Sequence, residues 1–168
     1  MHYKIFISAA GIGSRISSLT NINKALLPVR NEAVIARIIN KFPKNIEIVL
    51  AIGYQKNKVR DFLKLRFPKR KIKFITIKKY KGKGSGPGFT LLQCSKYLQC
   101  PFIYSSTDTL VKEKIQLPSK NWIGISKVNE SKKFLIIEKK NGSYSFIDKK
   151  NIKKKTNGNN KFNAFIGL

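Results

Sequence analysis

"ISAAGIGSRISSLTNINKALLPV", residues 7–29, sets small residues and two glycines behind a short apolar run, then supplies an arginine and, nine positions later, a lysine. The run "YKIFISAA" (3–10) is rich in β-branched and aromatic residues and breaks at Gly11, so it predicts a strand ending in a flexible turn. A strand that feeds glycines and then cations suits an anion. Glycines let backbone N–H groups turn toward phosphate oxygens, and Arg15 adds a charge-assisted fork. Two familiar phosphate loops fit poorly. A dinucleotide fingerprint needs a third glycine where Ile16 stands, and no Gly-Lys-Ser/Thr triplet closes the turn.

Outward from that stretch, strands and helices alternate. "NIEIVLAIGY" (45–54), "KIKFITIKK" (71–79) and "FIYSS" (102–106) predict strands. "EAVIARIINKF" (32–42) and "QKNKVRDFLKLRF" (55–67) carry apolar residues at helical spacing and stop at Pro43 and Pro68, and "FTLLQCSKYL" (89–98) predicts a third helix. A rival reading of Asp108 makes it the N-cap of a short helix starting at "TLVKEKI" (109–115). The order βαβαβαβ predicts a three-layer, Rossmann-like α/β fold, doubly wound about a mostly parallel sheet. From Trp122 the texture becomes strand-only, with Asn141-Gly142 predicting an added β-hairpin near the C-terminus and the Lys-Asn run 149–161 a polar loop. At 168 residues the expectation is a single domain, 1–168, with an α/β part (1–118) and a β part (119–168).

Ligands of open parallel sheets gather beyond the carboxyl ends of the strands. Those ends hold Gly11-Ile12-Gly13-Ser14-Arg15, Gly53-Tyr54, Gly84-Ser85-Gly86 and Thr107-Asp108-Thr109. Glycines, an arginine and an aspartate thus converge on one edge, where Asp108 could hold Mg²⁺.

The net charge of +27 favours polyanionic partners in general, nucleic acid included. Of the 35 basic residues, however, 29 are Lys, and Ile (23) and Asn (14) are also abundant, the bias that A/T-rich codons produce. Specific phosphate and base readers lean on Arg forks, so most of this charge reads as a solvated face. His2 is the sole histidine, and Cys94 and Cys100 have no ligand-spaced partners, which excludes zinc frameworks and Ser-His or Cys-His catalysis. The N-terminal apolar run is too short for a signal peptide or a membrane span, so a cytoplasmic protein is expected.

"AAGIGSR" followed by "NKALLPV" resembles the nucleotidyltransferase family that makes nucleotide sugars and nucleotide-activated alcohols, whose opening reads small-A-A-G-x-G-x-R and then P-K-x-L-L-P-V. Asn23 stands where that pattern has proline. Further matches follow in order: "IGYQKNKVRDFL", "GSGPGFTLL" as the base-binding loop, "YSSTDTLV" with Thr107 in place of glycine before the aspartate, and "FIDKK" in place of the stretch ending E-K-P.

The resemblance implies transfer of a nucleoside monophosphate from a nucleoside triphosphate to a phosphorylated acceptor, such as a sugar 1-phosphate or phosphocholine, with release of pyrophosphate. It implies Arg15, Lys24 and Asp108 as catalytic groups, with Mg²⁺ on Asp108. Ala9, Ala10, Gly11, Gly13, Ser14, Gly84, Ser85 and Gly86 would hold the nucleotide, and Asp148 and Lys149 the acceptor. The α/β part would then be the nucleotide side and residues 119–168 the start of the acceptor side. Family members draw a second metal-binding aspartate from sequence beyond the E-K-P strand, whereas this sequence stops at "FNAFIGL", so a C-terminally truncated enzyme is expected. The edge of that last strand would invite association. The alternative is a non-catalytic basic module for nucleotide, RNA or another polyanion.

Overall fold

The computed structural model describes residues 1–14, 21–128, 136–140, 143–147 and 162–165. These fall into two compact units, Met1–Lys120 and Asn121–Leu168, divided beside the change of texture at Trp122.

The first unit runs β1 (Lys4–Ala9), β2 (Pro28–Val29), β3 (Glu32–Ala33), α1 (Val34–Asn40), β4 (Ile48–Ile52), α2 (Lys56–Arg66), β5 (Ile72–Thr76), α3 (Pro87–Cys94) and β6 (Phe102–Ser106). Its main sheet has the order β5-β4-β1-β6, and every pairing is parallel. All five residues of β4 are buried, as a central parallel strand covered on both faces requires. The chain steps from β1 to β4 to β5 in one direction, then returns to the far side of β1 as β6. Right-handed crossovers therefore put α1 and α2 on one face and α3 on the other. The side chains agree, since Phe6, Val49 and Ala51 pack with Cys94 and Leu98. Strand residues of the other parity, Ile5, Ile7, Ile48, Leu50 and Ile52, are equally buried, as are Ile35, Ile39, Val59 and Leu63 of α1 and α2. The expected doubly wound α/β fold is the one observed.

Three local expectations are corrected. Helix α1 begins at Val34 rather than Glu32, because Glu32–Ala33 pairs with Pro28–Val29 in a hairpin. Its turn residues, Arg30 and Asn31, both have positive φ (49° and 64°), the geometry that joins two-residue hairpins, but they lack the glycine that would announce it. Arg37 fastens this hairpin by donating from Nε to the Val29 carbonyl at 2.7 Å and from its terminal nitrogen to the Arg30 carbonyl at 3.1 Å.

The second correction concerns residues 109–115, which form no helix. The Lys41 ammonium donates to the carbonyl of Lys112 at 2.6 Å, drawing that backbone onto the end of α1 instead of into its own helical ladder. Asp108 accordingly caps no helix there.

In the second unit, β7 (Ile125–Val128), β8 (Ile136–Lys140), β9 (Ser143–Ile147) and β10 (Phe162–Phe165) form an antiparallel sheet of order β7-β10-β8-β9. Strands β8 and β9 pair from Ile136↔Ile147 to Lys140↔Ser143, which is the hairpin predicted around Asn141-Gly142, although those two residues lie outside the described set. The third correction is here: β10 is bonded on both sides, to β7 and β8, so the last strand leaves no open edge for association. Among the described residues no helix is long and apolar enough to cross a membrane.

Candidate functional site

The strand order reverses between β1 and β6, and the crevice beyond their carboxyl ends is where such sheets take ligands. From β1 the chain passes through Ala9 and Ala10, both buried, to Gly11, around which a Cβ would meet none of the described residues within 4 Å. The main chain at Gly11 is therefore open to a ligand. Gly13 is constrained twice. Its φ is +71°, and a Cβ there would lie 3.4 Å from the Cβ and Cδ of Lys24, so the turn doubles as a bed for the lysine stem. Ser14 is the last described residue of this turn; Arg15 lies outside the described residues, as do Asp148 and Lys149.

Lys24 opens a 3-10 turn, Lys24–Leu26, and its Nζ stands 3.3 Å from Oδ2 of Asp108 at the end of β6. The lysine side chain is 22% exposed and the aspartate 64%, so the pair sits at the mouth of the crevice and not beneath it. The other carboxylate oxygen accepts from the Ser106 hydroxyl. Partial desolvation raises the Asp108 pKa, but the Ser106 hydroxyl, the Lys24 charge and the residue's own backbone N–H outweigh it, leaving the carboxyl below its ordinary value. It is ionised at neutral pH. Thr107, buried beside it, donates to the Ser8 carbonyl at 3.3 Å and so ties the end of β6 to β1.

The lysine turn is itself anchored. Asn23 is fully buried; its amide donates to the Tyr54 carbonyl at 2.7 Å and its carboxamide oxygen accepts from the Ala25 N–H at 2.9 Å. Its backbone N–H donates to Oε1 of Gln55 at 2.7 Å, and Gln55 Nε2 donates to the Asn21 carbonyl. Sequence reasoning marked Asn23 only as a departure from proline and passed over Gln55. An Asn two positions before Ala25 is a capping signal that could have flagged the first, whereas nothing local marks Gln55.

The Gly84–Gly86 loop leads into α3, with Pro87 at its first turn. Gly84 has φ +80°, and the Lys79 Nζ lies 3.0 Å from where its Cβ would stand. Ser85 folds back on the Gly82 carbonyl through both its hydroxyl (2.7 Å) and its N–H (3.1 Å). The loop's approach to β1 is set by Tyr80, Phe89 and Ala10, which share one apolar cluster. Gly53, at the end of β4, is the tightest point: a Cβ there would come within 2.6 Å of the Ala10 carbonyl and 2.9 Å of the Tyr80 Cβ.

Among the described residues no three acidic, histidine or cysteine side chains gather around a point. Asp108 is an exposed carboxylate with no such cluster around it among the described residues. That suits Mg²⁺, which takes one or two carboxylates and fills its remaining positions with substrate phosphate and water.

A parallel α/β domain with a glycine turn and a Lys-Asp pair at its switch point belongs to the Rossmann-like class. Comparison with known proteins narrows this. The chain is 29% identical over 136 residues to the bifunctional protein GlmU of Methanococcus maripaludis, covering 79% of this chain and 31% of that protein. It is 30% identical over 137 residues to GlmU of Methanococcus aeolicus, covering 78% and 32%. It thus spans about a third of the length of the curated relatives it matches. CTP:phosphocholine cytidylyltransferase of Streptococcus pneumoniae superposes on it with a TM-score of 0.68 at 18% identity, over 99% of this chain and 69% of that one. UDP-glucose pyrophosphorylase of Acinetobacter baumanii does so with a TM-score of 0.71 at 17% identity, over 99% and 73%. No family model matches. The chain is thus similar in sequence to part of GlmU and shares its fold with the cytidylyltransferase and the pyrophosphorylase.

Proposed function

We propose that the chain carries the nucleotide-binding side of a nucleotidyltransferase that moves a nucleoside monophosphate from a nucleoside triphosphate to a phosphorylated acceptor. The acceptor would be a sugar 1-phosphate or a phosphocholine-like alcohol phosphate. The observation that carries the reading is the Lys24–Asp108 pair, held at the mouth of the switch-point crevice beside an open glycine turn. An acceptor phosphate oxygen attacks the α-phosphorus, the bond to the bridging oxygen of the β-phosphate breaks, and pyrophosphate leaves. Such a step needs charge placed where charge accumulates more than it needs covalent help.

In this reading Lys24 turns from Asp108 to the α-phosphate when a triphosphate enters, and Arg15 steadies the departing pyrophosphate. The backbone of Ala9, Ala10, Gly11, Gly13 and Ser14 and the loop Gly84, Ser85 and Gly86 receive base, ribose and phosphates. Asp108, left ionised as Lys24 turns away, would hold Mg²⁺, which when bound neutralises phosphate charge. Asp148 and Lys149 are assigned to the acceptor, residues 1–118 to the nucleotide and 119–168 to the start of the acceptor side. Nucleotide-sugar formation for surface polysaccharide, in the cytoplasm where nucleoside triphosphates are made, is the role that suits this chemistry.

The deciding experiment is a thermal-shift screen with ATP, CTP, GTP, UTP and dTTP in Mg²⁺, followed by pyrophosphate release with sugar 1-phosphates and phosphocholine. Stabilisation by one triphosphate that Lys24→Ala abolishes supports the reading. Stabilisation by none of them overturns it.

A further inference from the structure

The Asn23 and Gln55 side chains bind the segment that delivers Lys24 and the strand ends behind it. Asn23, fully buried, binds backwards to the ends of two strands: the Tyr54 carbonyl beyond β4 at 2.7 Å and the Ala9 carbonyl of β1 at 3.5 Å. Forwards it caps the lysine turn at the Ala25 N–H. Gln55 grips the same segment from the start of α2, taking the Asn23 N–H on Oε1 and giving Nε2 to the Asn21 carbonyl.

The position of Gln55 is unusual in two ways. It is the N-cap residue of α2 yet makes no side-chain cap bond, and its φ is +51°, the left-handed region that a Gln rarely adopts. Helix stability alone would favour glycine, serine or aspartate there. A side chain kept at a strained cap, and turned away from capping, points to a task in the neighbouring segment.

Resting on the reading of Lys24 as a phosphate-binding cation, we propose that Asn23 and Gln55 are positioning residues that fix the backbone carrying Lys24, so that its ammonium, on leaving Asp108, meets the phosphates of a bound nucleoside triphosphate. The clamp joins the ends of β1 and β4 to the cation. A lysine on a free loop would have to order itself anew for each substrate.

Gln55→Gly separates this role from a structural one, because glycine removes the clamp while suiting the positive φ and the cap position. The probe is whichever of ATP, CTP, GTP, UTP and dTTP binds tightest in Mg²⁺, titrated by calorimetry beside the same nucleoside without phosphates. Expected for Gln55→Gly are a melting temperature lowered only modestly, because relief of the positive φ offsets part of the cost of the lost acceptor for the Asn23 N–H, a loss in triphosphate affinity of about threefold to tenfold, and unchanged nucleoside affinity. In a Lys24→Ala background Gln55→Gly should cost nothing further, since the residue acts through the lysine. An equal loss in both backgrounds, or no loss in the parent while Lys24→Ala binds weakly, overturns the clamp and leaves the reading of Lys24 standing. If Lys24→Ala binds triphosphate as the parent does, the reading of Lys24 fails and the clamp's role fails with it.

Discussion

Lys24 and Asp108 are 84 positions apart in the chain, and their charged atoms stand 3.3 Å apart at the switch point of the sheet. The contact is a product of topology. β1 and β6 become neighbours only after the chain has built β4 and β5 on the other side, so the loop after β1 and the end of β6 face one crevice.

Lys24→Ala is expected to weaken triphosphate binding by about tenfold to a hundredfold, the range for losing a hydrogen bond between charged groups. Melting in the absence of nucleotide should change little, because the pair is solvent-screened and such pairs contribute less than about 1 kcal/mol. Calorimetry and thermal melts on the same preparation check both halves. A large fall in melting temperature without loss of affinity would make the pair structural.

The same pair sets a pH dependence. The folded-state pKa of Asp108 lies below its ordinary value of 3.8, so the fold prefers the ionised carboxylate. Its stabilising contribution is therefore fully present above the ordinary value and is lost as pH falls through the lower folded one. Melting curves of the parent and Asp108→Asn from neutral to acid pH should differ by a small constant gap that closes below that ordinary value. A gap that persists into stronger acid would show that the carboxylate's charge is not what stabilises.

Much of this was legible beforehand for identifiable reasons. Pro43 and Pro68 stop their helices visibly, β4 is apolar throughout because it is covered on both faces, and the rule that ligands sit at strand ends brought the glycine turn after β1 and Asp108 to one edge, with Lys24 added by the family resemblance. The hairpin at Arg30-Asn31 escaped because two left-handed residues without a glycine leave no compositional mark. Asn23 read as a substitution for proline, although its buried carboxamide bonds to two strand ends. Gln55 escaped entirely, since its partners Asn21 and Asn23 are more than 30 positions away.

The two cysteines should differ sharply. Burial pushes the Cys94 thiol up to about 11, while Cys100 is only half-buried. At pH 8 about one Cys94 in a thousand would be thiolate even if reagent could reach it. A thiol-reactive dye is expected to modify Cys100 in the native protein and Cys94 only on unfolding. Simultaneous modification of both would mean that the α3 face opens readily.

Glycine substitutions at the strand ends test whether the main chain there is open or closed. Gly53→Ala forces a methyl to within 2.6 Å of the Ala10 carbonyl, a backbone atom fixed by its own bond from the Tyr54 N–H at 2.9 Å, and to within 2.9 Å of Tyr80. Neither neighbour yields cheaply, so a loss of about 1–3 kcal/mol is expected, as for overpacking elsewhere. Gly11→Ala meets none of the described residues within 4 Å and has no positive φ, so its melting temperature should stay close to that of the parent. If the backbone at Gly11 lies against the nucleotide, that harmless methyl will nonetheless lower triphosphate affinity. A Gly11→Ala protein that is both stable and fully competent to bind would move the nucleotide away from the end of β1.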